Sequence, residues 1–171
     1  MDELGRAFLK MLTIKELLGV LPQQGQVQWI GLRPAKGEPM AAVASASVVA
    51  GKGLQGDRYR SSGGKRQVTL IQAEHVQAIG SILNRPQLEP ATLRRNIVVS
   101  GINLLALKDK EFTVGAVRMV YTGLCHPCSK MELALGPGGY NAMRGHGGIN
   151  AKILCDGVVQ IGDAVAFDLQ S

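Results

Sequence analysis

Aromatic residues make up only 4% of this 171-residue chain: one tryptophan, three tyrosines and three phenylalanines. So few π-faces poorly supply a surface that stacks single-stranded nucleic acid, and they leave a mostly aliphatic core. Cysteine is scarce and odd in number, at three. That argues against a secreted disulfide framework and for a reducing compartment holding a reactive or metal-bound thiol. No apolar run is long enough for a transmembrane helix. The first twenty residues carry Asp2, Glu3, Arg6, Lys10, Lys15 and Glu16, which leaves no apolar signal-peptide core. The expectation is a soluble, cytoplasmic protein without a membrane partner. Internal repeats and low-complexity tracts are also missing.

Glycine is plentiful, with 22 residues falling mostly between short apolar runs. That pattern favours many turns and short strands. The length suits one domain that buries a real core without staples. The net charge of +6 suits an anionic partner, or simply keeps the protein soluble.

The chain divides into an N-terminal helical extension, residues 1–25, and a mainly β domain, residues 26–171. In the extension Leu4, Phe8, Met11 and Leu12 share one helical face. Thr13-Ile14-Lys15-Glu16 has the capping-box form and starts a second short helix. This segment can dock on the body of the domain or on a second copy, which makes a homodimer one expectation. Beyond it, Val27, Trp29 and Gly31 alternate as a strand, and Ala42–Ala50 reads as another. Gln67–Ile71 is a strand followed by a helix over Ala73–Leu83, with Val76, Ile79 and Leu83 inward and His75 a surface or half-buried position. Phe112–Val114 and Val117–Tyr121 are strands around a bend. Ile149–Cys155 and Val158–Ile161 read as a hairpin about Asp156-Gly157, and Ala164–Asp168 finishes the sheet.

Three stretches carry chemistry. Between Gly51 and Arg66 a glycine-rich loop holds five basic residues and one acid. Its backbone amides and arginines, Arg58 and Arg66 among them, suit an anion. It is no P-loop, because the Gly-Lys-Ser/Thr ending is absent. Next, Leu93-Arg94-Arg95-Asn96 stands at the mouth of a β run. Period two puts Arg94 and Asn96 on one face and Arg95 opposite. A guanidinium beside an amide binds a phosphate or a heterocycle edge, or is just a charged strand start.

The third stretch, Tyr121–Leu133, holds Cys125-His126-Pro127-Cys128, with Pro127 suited to a helix's first turn. Met131, Leu133 and Leu135 are its apolar positions, and Tyr140–Gly148 follows as a loop with Arg144 and His146. Three readings of the cysteines stay open. One is a dithiol redox pair, although the usual βαβ surroundings are missing. Another is a zinc site from Cys125, Cys128, His146 and Cys155. The last is a single reactive thiolate at Cys128, inside the mouth of the helix, with His126 and Lys130 adding positive potential.

Taken together, several motifs in order resemble the MOSC domain, the C-terminal domain of molybdenum-cofactor sulfurases that also occurs as small bacterial proteins. They are Gly53-Leu54-Gln55-Gly56-Asp57-Arg58, Arg66-Gln67-Val68-Thr69-Leu70-Ile71, Leu93-Arg94-Arg95-Asn96-Ile97-Val98-Val99, Pro127-Cys128 and Gly157 with Gly162-Asp163. The resemblance runs from about Val27 to Phe167 and implies a β-barrel fold. It implies a molybdenum cofactor: a pterin with a dithiolene and a terminal phosphate. The cysteine matching Cys128 is the family's functional thiol, as a persulfide sulfur carrier or as the molybdenum ligand in reductases of N-hydroxylated compounds. Arg94 and Asn96 match cofactor contacts, with Arg66, Arg58 and His126 as further basic candidates. The sulfurases' pyridoxal-phosphate domain has no counterpart here, so a cysteine desulfurase or an electron-donor reductase is the expected partner. Cys125 is an extra thiol that can pair with Cys128 or relay sulfur to it. The competing expectation is a basic β-barrel binding module with structural or zinc-bound cysteines.

Overall fold

The short apolar runs between glycines become strands. They are β1 Gly25–Leu32, β2 Ala41–Val43, β3 Ser45–Val49, β4 Gly53–Leu54, β5 Val68–Gln72, β6 Ile97–Ser100, β7 Glu111–Val114, β8 Val117–Leu124, β9 Ile149–Ile153, β10 Gly157–Gln160 and β11 Ala164–Ala166. The computed structural model describes residue 3 and residues 12–167. Pairing runs β11–β7–β8–β9–β5–β6–β1, and β1 also pairs β11, so seven strands close into a barrel. Closure satisfies the strand edges that an open sheet would leave free. β2 extends from β1 outside the ring, and β10, β3 and β4 form a separate small sheet.

Aliphatic side chains fill the barrel, among them Val27, Ile30, Leu70, Ile97, Val99, Met119 and Ile149. A second apolar cluster lies outside the wall. There the helices α2 Ala73–Ile82, α3 Ser129–Leu135 and α4 Gly139–Met143 cover Ile71 and Val98. β5 is therefore buried on both faces along its whole length, and its sequence, Val-Thr-Leu-Ile-Gln, does not alternate. β5 and β6 are parallel, joined through α2, so one βαβ unit sits in an otherwise antiparallel barrel. The expected inward positions of α2 hold: Val76 and Ile79 are buried and Leu83 is partly covered.

Several expectations are corrected. The strand around Trp29 carries a bulge between Val27 and Trp29. One extra residue turns Trp29 outward against the helical cluster, and Ile30 takes the interior position. The run Ala42–Ala50 breaks into β2 and β3. Asp156-Gly157 is no hairpin turn, because β9 pairs β8 and β5 while β10 pairs β3 in the other sheet. Asp156 fixes this corner instead, its Oδ1 accepting the Ala50 amide at 2.8 Å. Tyr140 begins no loop but lies in α4, and Leu133 is 85% exposed while Met131 and Leu135 are buried.

At the N-terminal side, α1 Ile14–Leu17 carries the expected capping box of Thr13 and Glu16. Leu4, Phe8 and Met11 lie outside the described residues. No helix among the described residues is long and apolar enough to cross a membrane.

Leu70 is fully buried at the centre of the barrel. Leu70→Ala is expected to lower unfolding free energy by about 2–5 kcal/mol. Urea denaturation will read this as a lower midpoint at unchanged slope.

Candidate functional site

The residues before β6 set the site's geometry. Pro90–Leu93 forms a 3-10 turn, and Arg94 follows in the left-handed region at φ 57° and ψ 29°. The strand begins only at Ile97. The period-two argument therefore does not apply to Arg94, Arg95 and Asn96, and the three side chains part company. Arg94 is half-buried at the surface and donates Nη1 to the Glu38 carbonyl at 2.8 Å. Asn96 and Arg95 are buried.

Asn96 is a hub. Its Nδ2 donates to the Gly31 carbonyl and to Asp57 Oδ1, at 3.1 and 3.2 Å. Its Oδ1 accepts from the Thr69 amide and hydroxyl and from Arg33 Nη2. Every hydrogen-bonding capacity of the amide is used within the protein. Beside it, Arg33 grips Asp57 through Nε and Nη2, at 3.0 and 2.7 Å, and the Asp57 side chain is inaccessible to solvent. Burial pushes the Asp57 carboxyl upward, but the Arg33 bonds and charge and the Tyr59 amide together hold it below the usual range. The glycine-rich loop thus supplies Asp57 to the interior and leaves Arg58 exposed. Burial lowers the pKa of Arg94, and the charges of Arg33 and Arg58 lower it further while Asp57 opposes them. Only Arg33 pairs with Asp57, and among the described residues Arg58 and Arg94 form no ion pair.

Arg95 is the residue that period two misplaced. It is only 6% exposed. Its Nε donates to the Gly147 carbonyl, Nη1 to Leu93 and Nη2 to Cys125, each at 2.9 Å. Burial lowers its pKa, negative charge on Cys125 and Cys128 counters that, and Arg33 adds to the lowering. The adjacency of Arg95 to Arg94 was plain in the sequence, but its partners are backbone carbonyls, which no side-chain pattern reveals. Gly147 is required at its place, since a Cβ there would lie 2.2 Å from the Cys125 carbonyl oxygen.

The cysteine segment leaves β8 at Leu124, and the Cys125 amide donates to the Gly148 carbonyl at 2.8 Å. Cys125 is half-buried, while His126 and Cys128 are exposed. Cys128 is the N-cap of α3, extended at φ −130° and ψ 175°, and not inside the helix. Pro127 likewise lies before it. Both thiols are free. Facing Cys125 is a cavity of about 130 Å³, lined also by His75, His126 and Pro127. His75 comes from α2, a position that sequence alone placed simply on or near the surface.

The proposed zinc quartet is not assembled. Among the described residues no three His, Cys, Asp or Glu side chains are grouped to hold a metal. Cys155 sits at the opposite end of β8 from Cys125, its sulfur accepting the Arg118 amide at 3.2 Å. His146 instead pairs Nδ1 with the Ala142 carbonyl at 2.9 Å. Arg66 is exposed just ahead of β5, without a side-chain hydrogen bond to the Asn96 network.

The Asp57 carboxyl makes a sign-specific contribution. Its folded pKa lies below the unfolded one, so its stabilisation is complete above about pH 4 and fades as pH falls through the depressed folded value. Asp57→Asn is expected to cost about 3–5 kcal/mol at neutral pH, because Arg33 loses its partner. Denaturation from pH 7 to 2 should show the difference from wild type shrinking at the acid end.

The comparisons with other proteins agree with this geometry. The MOSC domain profile matches residues 46–166. Among curated proteins nothing matches the sequence. Among solved structures, YuaD from Bacillus subtilis superimposes with a TM-score of 0.73 at 18% identity, covering 85% of this chain and 97% of that one. YiiM from Geobacillus stearothermophilus gives 0.66 at 19% identity, over 84% of this chain and 75% of that one. YiiM from Escherichia coli gives 0.64 at 16%, over 85% and 71%. These likenesses concern the fold. With the closed barrel, the motif order and the profile match over most of its length, the chain belongs to the MOSC domain family.

Proposed function

We propose that this protein binds a molybdenum cofactor and that Cys128 is its functional thiol. The observation that carries this reading is an exposed thiol on a segment that a buried guanidinium, Arg95, holds through the Cys125 carbonyl, one residue from the arginine surface at Arg94. Arg33 pairs with Asp57, Arg58 and Arg94 form no ion pair among the described residues, and Arg95 donates to the Cys125 carbonyl. A pterin carrying a dithiolene and a phosphate is anionic and fits that surface. A thiolate is a soft donor fit for the dithiolene-bound metal.

The roles divide by burial. Arg94 and Arg58 reach the surface and are the residues to hold the phosphate or the pterin edge. Arg66 and His126 add exposed positive or donor groups. Asn96 has no free valence, so it acts by fixing Asp57 and Arg33 under the arginine cluster. When bound, the cofactor supplies a two-electron redox centre. The chain's part is to bind it, to present the Cys128 thiolate and to keep positive charge beside that sulfur. In this form the protein is a reductase of N–O bonds fed by an electron-donor reductase.

The exposure of Cys128 favours a second form of the same site, a sulfur carrier. The Cys128 thiolate attacks the outer sulfur of a persulfide on a cysteine desulfurase. A sulfur–sulfur bond forms on Cys128, that of the donor breaks, and the donor cysteine leaves as a thiolate. Pyridoxal phosphate belongs to that donor.

Elemental analysis of protein purified from a host that makes the cofactor tests the assignment. Molybdenum near one per chain, lost in Cys128→Ala and reduced in Arg94→Ala, is the expected result for the reductase form. Zinc near one per chain overturns both forms. With neither metal, a one-sulfur mass gain on Cys128 after incubation with a desulfurase establishes the carrier form. Cys125→Ser is expected to leave metal content unchanged while altering the lifetime of that persulfide.

A further inference from the structure

Two cysteines three positions apart suggest a pair that closes a disulfide, yet both Cys125 and Cys128 are free thiols. A disulfide needs Cα atoms within about 7 Å of each other. The stretch 125–128 contains no turn, bend or helical residue, and Cys128 is extended at φ −130° and ψ 175°. Three residue steps of extended chain span about 10 Å. Pro127 reinforces this course, because a residue before proline is driven out of the helical region. Closing the ring has to bend the segment. Whatever holds it straight therefore decides whether the thiols pair.

Arg95 holds it on both sides. Ahead of His126, its Nη2 donates to the Cys125 carbonyl at 2.9 Å. Beyond Cys128, its Nη1 reaches Sδ of the buried Met131 at 3.9 Å. The Met131 amide in turn donates to the Cys128 carbonyl at 2.8 Å. Other donors of the same guanidinium are tied to Leu93 and Gly147, which fixes its plane. Two more bonds secure the entry to the segment. The Cys125 amide donates to the Gly148 carbonyl at 2.8 Å, and Nδ2 of the buried Asn150 donates to the Leu124 carbonyl at 2.9 Å. Bending Cys125 toward Cys128 breaks the bonds at Cys125 and takes a partner from a guanidinium that is 6% exposed. A buried charge that loses a partner is costly.

We infer that Arg95 is a positioning residue for Cys128: by holding the segment extended on both flanks, it keeps Cys125 and Cys128 from closing a disulfide. Cys128 thus remains a single thiol. The inference rests for its purpose on the assignment of Cys128 as the functional thiol, since a thiol that must take a metal or a sulfur atom is lost if it oxidises with its neighbour. The clamp still permits an outer sulfur to pass between the two, because that transfer forms no bond between the two cysteine sulfurs.

The test equilibrates the full chain with mixtures of reduced and oxidised glutathione. For each disulfide closed, two cysteine thiols give up two protons and two electrons, and one glutathione disulfide becomes two glutathione thiols. Peptide mass mapping after an acid quench reads the Cys125–Cys128 disulfide as a loss of two hydrogens. The folded wild type is expected to reach half-oxidation in a mixture about tenfold more oxidising than the same chain in urea, the effect of one hydrogen bond to a charged group. Arg95→Met, folded by circular dichroism, should shift back toward the unfolded value. Arg95→Lys keeps the charge but lacks the fork that reaches three carbonyls, and should follow Arg95→Met. An arginine with a merely structural role would lower the melting temperature without moving the glutathione midpoint. Equal midpoints for folded and unfolded wild type, or an unmoved midpoint in a folded Arg95 variant, would each overturn the inference. Neither molybdenum nor a sulfur donor enters the measurement, so its failure leaves the assignment of Cys128 standing, and loss of that assignment leaves the disulfide result unchanged.

Discussion

A positive charge inside the protein is the constraint around which the site is arranged. The Arg95 guanidinium is removed from water, a loss that neighbouring acceptors must offset. Three backbone carbonyls do so, from Leu93, Cys125 and Gly147. These come from three separate connections: the turn before β6, the cysteine segment after β8 and the loop before β9. One side chain thus clamps the thiol segment to the barrel wall. The clamp also explains why position 147 has no side chain, since a Cβ would enter the space where Cys125 approaches.

The polar network at the start of β5 and β6 complements this clamp. Asn96 joins Thr69 on one strand to Gly31 on another and to the Asp57–Arg33 pair. With its amide saturated, the network is rigid, and it fixes where Arg58 and Arg94 stand. The two arrangements start from adjacent residues, 95 and 96, whose side chains diverge. One supports the cationic surface and the other supports the sulfur segment.

The strands and α2 were legible because their apolar positions recur with the period of the element. The capping box at Thr13 was legible because it is a contact within four residues. The barrel as a whole came from the order of motifs resembling MOSC domains. Three features were hidden for physical reasons. The bulge near Trp29 adds one residue without changing composition, and it reverses which side chains face inward. Asp156-Gly157 has hairpin chemistry, but the aspartate's partner is Ala50, in the turn that follows β3. Arg95 could not be told from Arg94 by type. What separates them is the left-handed backbone at Arg94 and carbonyls distant in sequence. At the site, Cys128 stood out in the sequence as a candidate reactive thiol, whereas His75 comes from a helix that no local pattern connects to the cysteines.

The seam of the barrel has a consequence for folding. β1 and β11, a strand of three residues, lie far apart in sequence, yet Gln26 pairs with Ala164. β11 also pairs with β7 on its other side. Until β11 is in place, β1 and β7 therefore each carry an unsatisfied strand edge. Contacts of such sequence separation form slowly, and an open edge in that interval can recruit a neighbouring chain. Three residues thus close the barrel, and both edges stay open until they dock.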